Sequence, residues 1–511
     1  MRNRRCGLLP LVALAAVFGL ASCGPGPEKP GTVTMLIESS PTNLDPRIGT
    51  DGQSEHIYSL IFDTLVRRDA RYNVQPWLAE SWETPDPLTY VFHLRSGVRF
   101  HNGRPLSSRD VQWSFQSILN GSMISVKSQT YRNVDHIDAP DPLTVIFHMK
   151  KPDVALLWNL SDGAIGIVPA GSGRDFGRHP IGSGPFRFVS QEQDKEVVVE
   201  RNPDYWAAKP SIERVRFSVV PDSITRALEL QKGSADVAVN ALSADQVYAL
   251  RDDTHLEVEA GPGTILNYIS FNTRDKVLRD ARVRQAIAFA INRPLIVHAL
   301  WRDRAKLAES LLPKEHWAWT GDVQGHEYDP AESNRLLDAA GFKRGADGIR
   351  FHLTIKTSTD ETSRTLAVVI QQELRDVGIA LDVRSFEFAT FYADIAKGAF
   401  QMYTLRWIGG NEDPEIFRYA YATSSIPPHG MNRGYYSNPA LDALIGAAAE
   451  ASTQNDRAAI YAKIQQTIAK DLPAINLWYL DTVIVHNRRL EDVGLSSSGN
   501  FDFLRDAKLR P

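Results

Sequence analysis

Residues 76–119 read PWLAESWETPDPLTYVFHLRSGVRFHNGRPLSSRDVQWSFQSIL, and no other stretch of the chain holds as much interpretable local structure. Thr89 to Arg95 alternates polar with β-branched and aromatic residues, and Ser96-Gly97 interrupts the run. Val98 to His101 resumes it, and Asn102-Gly103 supplies a turn that needs positive φ. The pattern predicts a β-hairpin built from 89–95 and 98–101. Ser107 stands three positions before Asp110 and opens an apolar face at Val111, Phe115, Ile118 and Leu119, so a capped amphipathic helix is expected next.

The same residues carry a resemblance. Leu78 to Trp82 reads L-A-E-S-W, Tyr90 to Gly103 fits Y-x-F-x-L-R-x-G-V-x-F-x-x-G, and Asp110 to Phe115 fits D-V-x-x-S-F. Together these are similar to the signature of the family 5 extracellular solute-binding proteins, the peptide- and nickel-type receptors of ATP-binding cassette importers. Ile181-Gly182-Ser183-Gly184-Pro185-Phe186, Arg201 to Trp206 (RNPDYW), Asn267 to Thr273 (NYISFNT) and Val283 to Arg293 (VRQAIAFAINR) resemble further segments of that family. The resemblance implies an α/β, two-lobed periplasmic-binding-protein fold of type II, in the large cluster with an extra subdomain. It places the first lobe's main sheet in residues 31–47, 176–266 and 480–511, an inserted subdomain in 48–175, and the second lobe in 267–479.

A chain of 511 residues exceeds what one hydrophobic core serves, so several structural units are expected. Met1 to Arg5 is basic, Leu8 to Leu20 is apolar but short for a membrane span, and Leu20-Ala21-Ser22-Cys23 closes the segment. Residues 1–22 read as a secretory signal peptide. Its end resembles the bacterial lipoprotein signature, which makes Cys23 the lipidated first residue of the mature chain. The alternative is an ordinary signal peptide with an incidental cysteine. Residues 23–30, rich in Pro and Gly, follow as a lipidated tether. Cleavage removes Arg2, Arg4 and Arg5 and no acid, moving the net charge from −4 to −7. A mildly acidic surface argues against nucleic acid as a partner. The only other cysteine is Cys6, inside the leader, so a lipidated mature chain has no thiol pair for a disulfide. The expected location is the periplasmic or cell-surface side of the membrane, lipid-anchored.

Farther along, Arg214 to Val220, Ser223 to Lys232 and Ala235 to Val239 order as βαβ, which predicts a parallel strand pair. Leu353 to Lys356, a helix from about Thr362 to Val377 stopped by Gly378, and Ile379 to Arg384 form a second such unit. Asp329-Pro330 and Asn438-Pro439 start helices, each with a capping side chain before a proline at the first helical position. Ala474 to Val485 reads as a strand crossing back to the first lobe.

The loop Arg406-Trp407-Ile408-Gly409-Gly410-Asn411-Glu412-Asp413-Pro414 resembles the family's W-x-x-D-x-x-[DE]-P segment between the lobes. There the aromatic packs beside the ligand, and the acid three residues on anchors a peptide's α-ammonium. Trp407, Asp413 and Pro414 match, but the ammonium anchor's position is Gly410. A glycine cannot neutralise a buried cation, so amine-anchored peptides are placed in doubt. Trp407, Gly409, Gly410 and Asn411 are the candidate ligand contacts of this loop, the glycines allowing close approach. Arg406 and Arg433 are the basic residues near it in the family frame, and each either receives a carboxylate or carbonyl end of the solute or ties down a loop. Asn43 is either a ligand contact or the closer of an Asx-turn. Asp413-Pro414-Glu415 reads as a helix start rather than an acid/base cluster.

No catalytic set is expected, since G-x-S-x-G is absent around Ser183. No metal cluster is expected either, because His93, His101 and His429 are scattered, and no cofactor is implied. The function implied is capture of a peptide or peptide-like solute by a monomer and its delivery to the permease and ATPase subunits of an importer. Other solutes on the same fold are chelated nickel, a sugar or an opine-like compound. A sensor or chaperone would share the cleft but lack an importer.

Overall fold

The computed structural model describes residues 31–49, 51–69, 72–153, 155–161, 165–407, 413–427, 430–451 and 453–510. The signal peptide (1–22), Cys23 and its tether, Gly409, Gly410, Asn411 and His429 lie outside them. No helix among the described residues is long and apolar enough to cross a membrane.

One 11-stranded mixed sheet runs through the molecule. Its strand order is Ile379–Phe386, Phe351–Ser358, Met402–Trp407, Leu256–Phe271, Ala474–Asn487, Val237–Val239, Thr32–Ile37, Arg214–Val219, Glu196–Arg201 and Phe186–Glu192, with Ala305–Leu307 pairing beside Ala474–Asn487. Two antiparallel strands join the halves. Leu256 to Gly261 pairs with Thr482 to Asn487, Ile265 to Ser270 pairs with Ala474 to Leu480, and the register breaks between Gly261 and Ile265. A Cβ on Gly263, inside that break, would lie 2.3 Å from the Leu480 carbonyl oxygen, so the crossing tolerates only glycine there. Separate cores sit on either side of this break. One is centred on Val33, Met35, Phe186, Val215, Phe217 and Ile484, the other on Ile269, Phe271, Ile287, Ile355, Ile370 and Trp478.

Local signals placed most elements. Asp329 caps the helix Pro330–Ala339 by accepting from the amides of Ala331 and Glu332, and Asn438 does the same for Pro439–Glu450. Phe351–Ser358 and Ile379–Phe386 pair in parallel over their whole length, as a βαβ unit requires. Arg214–Val219 and Val237–Val239 also run parallel, but Thr32–Ile37 lies between them and pairs with both. A strand 180 residues distant in sequence occupies the slot that a local reading leaves for the neighbour.

The expected hairpin of 89–95 with 98–101 is not formed. Thr89–Leu94 instead folds back on Ala79–Asp86, and its other edge pairs with Thr144–Met149, whose own hairpin partner is Val134–Asp141. Two turns of identical sequence, Asp86-Pro87-Leu88-Thr89 and Asp141-Pro142-Leu143-Thr144, close these hairpins. In each, the aspartate accepts from the leucine amide at 2.8 Å. The repeat makes a four-stranded sheet with a pseudo-two-fold axis between its central strands. Its inner face packs on the helix Ser108–Leu119, where Phe115, Phe92 and Phe147 meet edge to face at 5.3–5.5 Å. Each buried ring contributes about 2–3 kcal/mol of transfer free energy.

Val98 to His101 serves a different contact. Asn102-Gly103 does turn, with φ of 83° at Gly103, but only an isolated bridge, Arg99 to Pro105, flanks it. The His101 ring then ties this turn to Gly182-Ser183-Gly184. Its Nδ1 accepts from the Gly182 amide at 3.3 Å and its Nε2 donates to the Gly184 carbonyl at 3.0 Å. Burial holds this imidazole down to a pKa of about 4, so it is neutral at pH 7.

Three more of the sequence segments converge on one buried carboxylate. Asp63 is 1% exposed. Its Oδ1 accepts from Trp77 Nε1 at 2.9 Å and the Tyr205 hydroxyl at 3.0 Å, and its Oδ2 accepts from the Ser183 hydroxyl at 2.9 Å and Trp206 Nε1 at 3.0 Å. The P-W-L-A, G-S-G-P-F and R-N-P-D-Y-W segments therefore share a single hydrogen-bonding hub.

Candidate functional site

Met402–Trp407 pairs antiparallel with the second half of Leu256–Phe271, setting Leu266 opposite Trp407, Tyr268 opposite Leu405 and Ser270 opposite Tyr403. Side chains alternate along a strand, so Tyr403, Leu405 and Trp407 share one face with Tyr268 and Ser270. The Tyr268 ring lies 5.9 Å from Tyr403 and 6.3 Å from Trp407. Tyr268, Ser270, Tyr403 and Trp407, with Leu311, Tyr421, Met431, Asn432 and Arg433, line a recess holding about 380 Å³ of atom-free space, partly open to solvent.

Arg433 is held in that recess by its loop. Asn432, 1% exposed, donates to the carbonyls of Tyr421, Ala422 and Tyr436 and accepts from the Tyr436 amide, which staples the Asn-Arg-Gly-Tyr-Tyr segment. Arg433 is 9% exposed, and its guanidinium donates to the Tyr392 hydroxyl and sits 4.7 Å from the centre of that ring. Among the described residues it forms no ion pair; its neighbours are the phenols of Tyr268, Tyr403 and Tyr392. Burial works against its charge, but these phenols outweigh burial and raise its pKa overall. Burial also lifts Tyr268 well above the usual phenol range and raises Tyr403, so these two hydroxyls stay protonated and able to donate.

Of the residues expected to meet a ligand, the structure brings together Trp407 and Arg433. Arg406 is opposite Asn267 on the other face of its strand and is exposed, one residue's alternation having turned it away from the recess. Arg406 is therefore not among the residues that line the recess. Asn43 does not line the recess. Its Oδ1 accepts from the Asp45 amide at 2.9 Å, closing an Asx-turn ahead of the buried Asp45–Arg47 ion pair, which spans 2.7 Å. Gly409, Gly410 and Asn411 lie outside the described residues. Tyr268, Tyr403 and Tyr392 were missed. The first two sit in strands whose aromatic alternation was visible, but their convergence on Arg433 depends on a strand pairing across more than 130 residues.

Asp413 is the first described residue after Trp407, and the helix after it begins at Ile416, two residues later than the expected start. The Asp413 carboxylate accepts from the Glu415 amide at 2.9 Å. Burial pushes its pKa up to about 7 and Glu415 adds to the effect, while the Glu415 amide, Arg457 and Arg68 oppose it. Its folded value exceeds the unfolded one, so the stability it contributes is present below about pH 4 and is lost as pH rises to about 7. Asp413→Asn keeps the acceptor and removes the ionisation. The variant should match the parent near pH 4 and exceed it at pH 8, by about 2–4 kcal/mol as an upper range from the shift. Parallel thermal-melt profiles for the two proteins from pH 4 to 8 would contradict this.

Residues of the hairpin-rich unit also make contacts with distant parts of the chain. Tyr72 lies between Trp158 at 6.4 Å and His316 at 5.8 Å, its hydroxyl bonds the Ser497 hydroxyl at 2.8 Å, and Arg68 stacks over Trp158 at 4.5 Å. Asp153, on the same unit, feels the charges of Glu415 and Arg418.

The family described as bacterial extracellular solute-binding proteins, family 5 Middle, matches residues 73–427. The chain belongs to that family. The dipeptide-binding protein of Escherichia coli (strain K12) is 27% identical over 491 residues, covering 90% of each chain. The Helicobacter pylori periplasmic binding protein DppA, solved with the peptide STSA, superposes with a TM-score of 0.80 at 27% identity, covering 94% of this chain and 98% of that one. NikA from Brucella suis, solved with Fe(III)-EDTA, is alike in fold, with a TM-score of 0.86 at 24% identity over 94% of this chain and all of that one. The fold is accordingly the two-lobed one of periplasmic binding proteins. Family 5 solute-binding proteins are extracytoplasmic transport receptors, not enzymes, and work with the permease and ATPase of an ATP-binding cassette importer.

Proposed function

We propose that this family 5 receptor captures a peptide or peptide-like solute between its lobes and hands it to its importer, and that the solute is held by its carboxylate rather than by its amine. The observation that carries this reading is Arg433, a buried guanidinium whose described neighbours are phenols and not acids. A planar fork of donors facing a recess suits a carboxylate, which would supply a counter-charge that none of the described residues provides. Trp407 provides an apolar wall beside it. Gly410 stands where the family resemblance puts the ammonium anchor, and Asp413 is engaged with the Glu415 amide and faces Arg457 and Arg68. Residues 31–47, 176–266 and 480–511 would form one lobe, 48–175 its inserted unit and 267–479 the other, with closure about the register break at Gly261 to Ile265.

Calorimetric titration with di- and tripeptides in free, N-acetylated and C-amidated forms tests the reading. Acetylation should leave binding within a few fold, whereas amidation should abolish most of it. Binding that vanishes on acetylation and survives amidation would overturn it. The receptor is further proposed to be tethered outside the membrane through a lipid on Cys23, which the Leu-Ala-Ser-Cys segment supports. Cys23→Ala should then move it to the soluble fraction, and unchanged membrane association would contradict the tether.

A further inference from the structure

The repeated hairpins carry different residues at equivalent places on their outer face. In the first, Ser81 is opposite His93 and Glu83 lies two residues along. In the second, His136 is opposite His148, and Asp138 lies two residues along. Cross-strand partners and i, i+2 neighbours share a face, so one sheet presents two near-identical frames, of which only the second holds three metal-ligating side chains. We propose that His136, Asp138 and His148 form a binding site for a divalent transition-metal ion of the zinc, nickel or copper class.

Donor atoms of the three side chains all lie within 4.8 Å of one another. His148 Nε2 is 3.2 Å and His136 Nε2 is 3.8 Å from the same oxygen, Asp138 Oδ2. Ligands each about 2.0–2.2 Å from a tetrahedral zinc ion are about 3.3–3.5 Å apart, so two of the spacings are nearly met and a ring rotation closes the third. The imidazoles stack at 4.2 Å with 10° between their planes, and both present Nε2 to the carboxylate. Asp135 supplies the supporting contact, its Oδ2 lying 2.8 Å from His136 Nδ1. That bond places the His136 proton on Nδ1 and leaves Nε2 with its lone pair toward Asp138, the carboxylate–histidine arrangement by which proteins orient a metal-binding ring. Two imidazoles, which are borderline donors, beside one hard carboxylate favour zinc, nickel and copper over calcium or magnesium. The ligands stand on paired strands whose inner face is packed by Ile137 and Phe147, 1% and 0% exposed, so the frame is rigid before metal arrives. With three protein donors, the fourth position stays open to water or to a ligand from another molecule.

This site is on the hairpin unit, apart from the Arg433 recess, and its test is independent of the solute. ZnCl2 is titrated by calorimetry into the full mature chain at pH 7.5 in a non-chelating buffer, beside His136→Ala, His148→Ala and Asp138→Asn variants, with thermal melts of each. The parent should take up one zinc per chain, and not two, since Ser81 leaves the first frame a ligand short. Each histidine variant should bind at least tenfold more weakly while melting like the metal-free parent. No stoichiometric uptake by the parent, or uptake by His136→Ala and His148→Ala that matches the parent's, would overturn the proposal.

Discussion

Asp63→Ala is expected to lower the free energy of unfolding by about 4 kcal/mol or more, because it strands four donors at once, two of them buried and two on half-buried rings. Trp77 Nε1, Trp206 Nε1, the Ser183 hydroxyl and the Tyr205 hydroxyl all end on this carboxylate, which is 1% exposed. Each unsatisfied buried donor costs about 1–3 kcal/mol, and the vacated space adds a smaller term. The rings cannot turn to water, since Trp77 and Trp206 pack against each other at 4.7 Å with Arg67 over Trp77 at 4.1 Å. Asp63→Asn is expected to do nearly as much harm despite its matched size, because its amide would present a donor to donors. Trp77→Phe, which removes one donor and keeps the acceptor busy with three, should cost only about 1–2 kcal/mol. Urea unfolding of the three variants beside the parent reads these differences. A loss below about 1 kcal/mol for Asp63→Ala would mean that the hub is dispensable.

Arg433→Met should weaken binding of a carboxylate-bearing solute by at least a hundredfold. Truncating one member of a desolvated charge pair costs about 2–5 kcal/mol, mostly through the partner left without a counter-charge. Methionine keeps the length and apolar stem, so the packing against Tyr392 is largely retained. Lysine is not expected to rescue the loss, since its point charge cannot reproduce a planar fork among three phenols. Coupling to the ligand provides the sharper test: amidating the solute should cost the parent most of its affinity and cost Arg433→Met almost nothing. If amidation weakens both proteins equally, Arg433 holds its loop and the carboxylate is bound elsewhere.

Much of this molecule was legible in order along the chain. Caps at Asp329 and Asn438, the stop at Gly378 and the βαβ unit of residues 351–386 follow from rules that involve a handful of neighbouring residues. The motifs around Trp82, Phe100 and Phe115 named the family, and with it the two-lobed fold, before any contact was known. These signals are local or are fixed spacings, and a linear reading captures both. What the sequence by itself determined was therefore the type and position of most elements, the family, and Trp407 and Arg433 as candidates.

Tertiary structure decided which partners meet. Thr89–Leu94 had two candidate neighbours in sequence and took the one before it, because pairing with Ala79–Asp86 and Thr144–Met149 buries Phe92 against Phe147 while leaving His93 outside. Arg406 and Trp407 are adjacent in sequence and opposite in space, since a strand turns consecutive side chains to opposite faces. Arg433 acquires its phenols from a helix and two strands spread over residues 268–403, and Asp63 gathers donors from as far as Trp206. His136 and His148 stand out from thirteen histidines, and Asp138 from the acids, only when the register of one hairpin sets them side by side. Register and facing are settled by burial of a whole sheet face at once, a cooperative quantity that no short window of sequence contains.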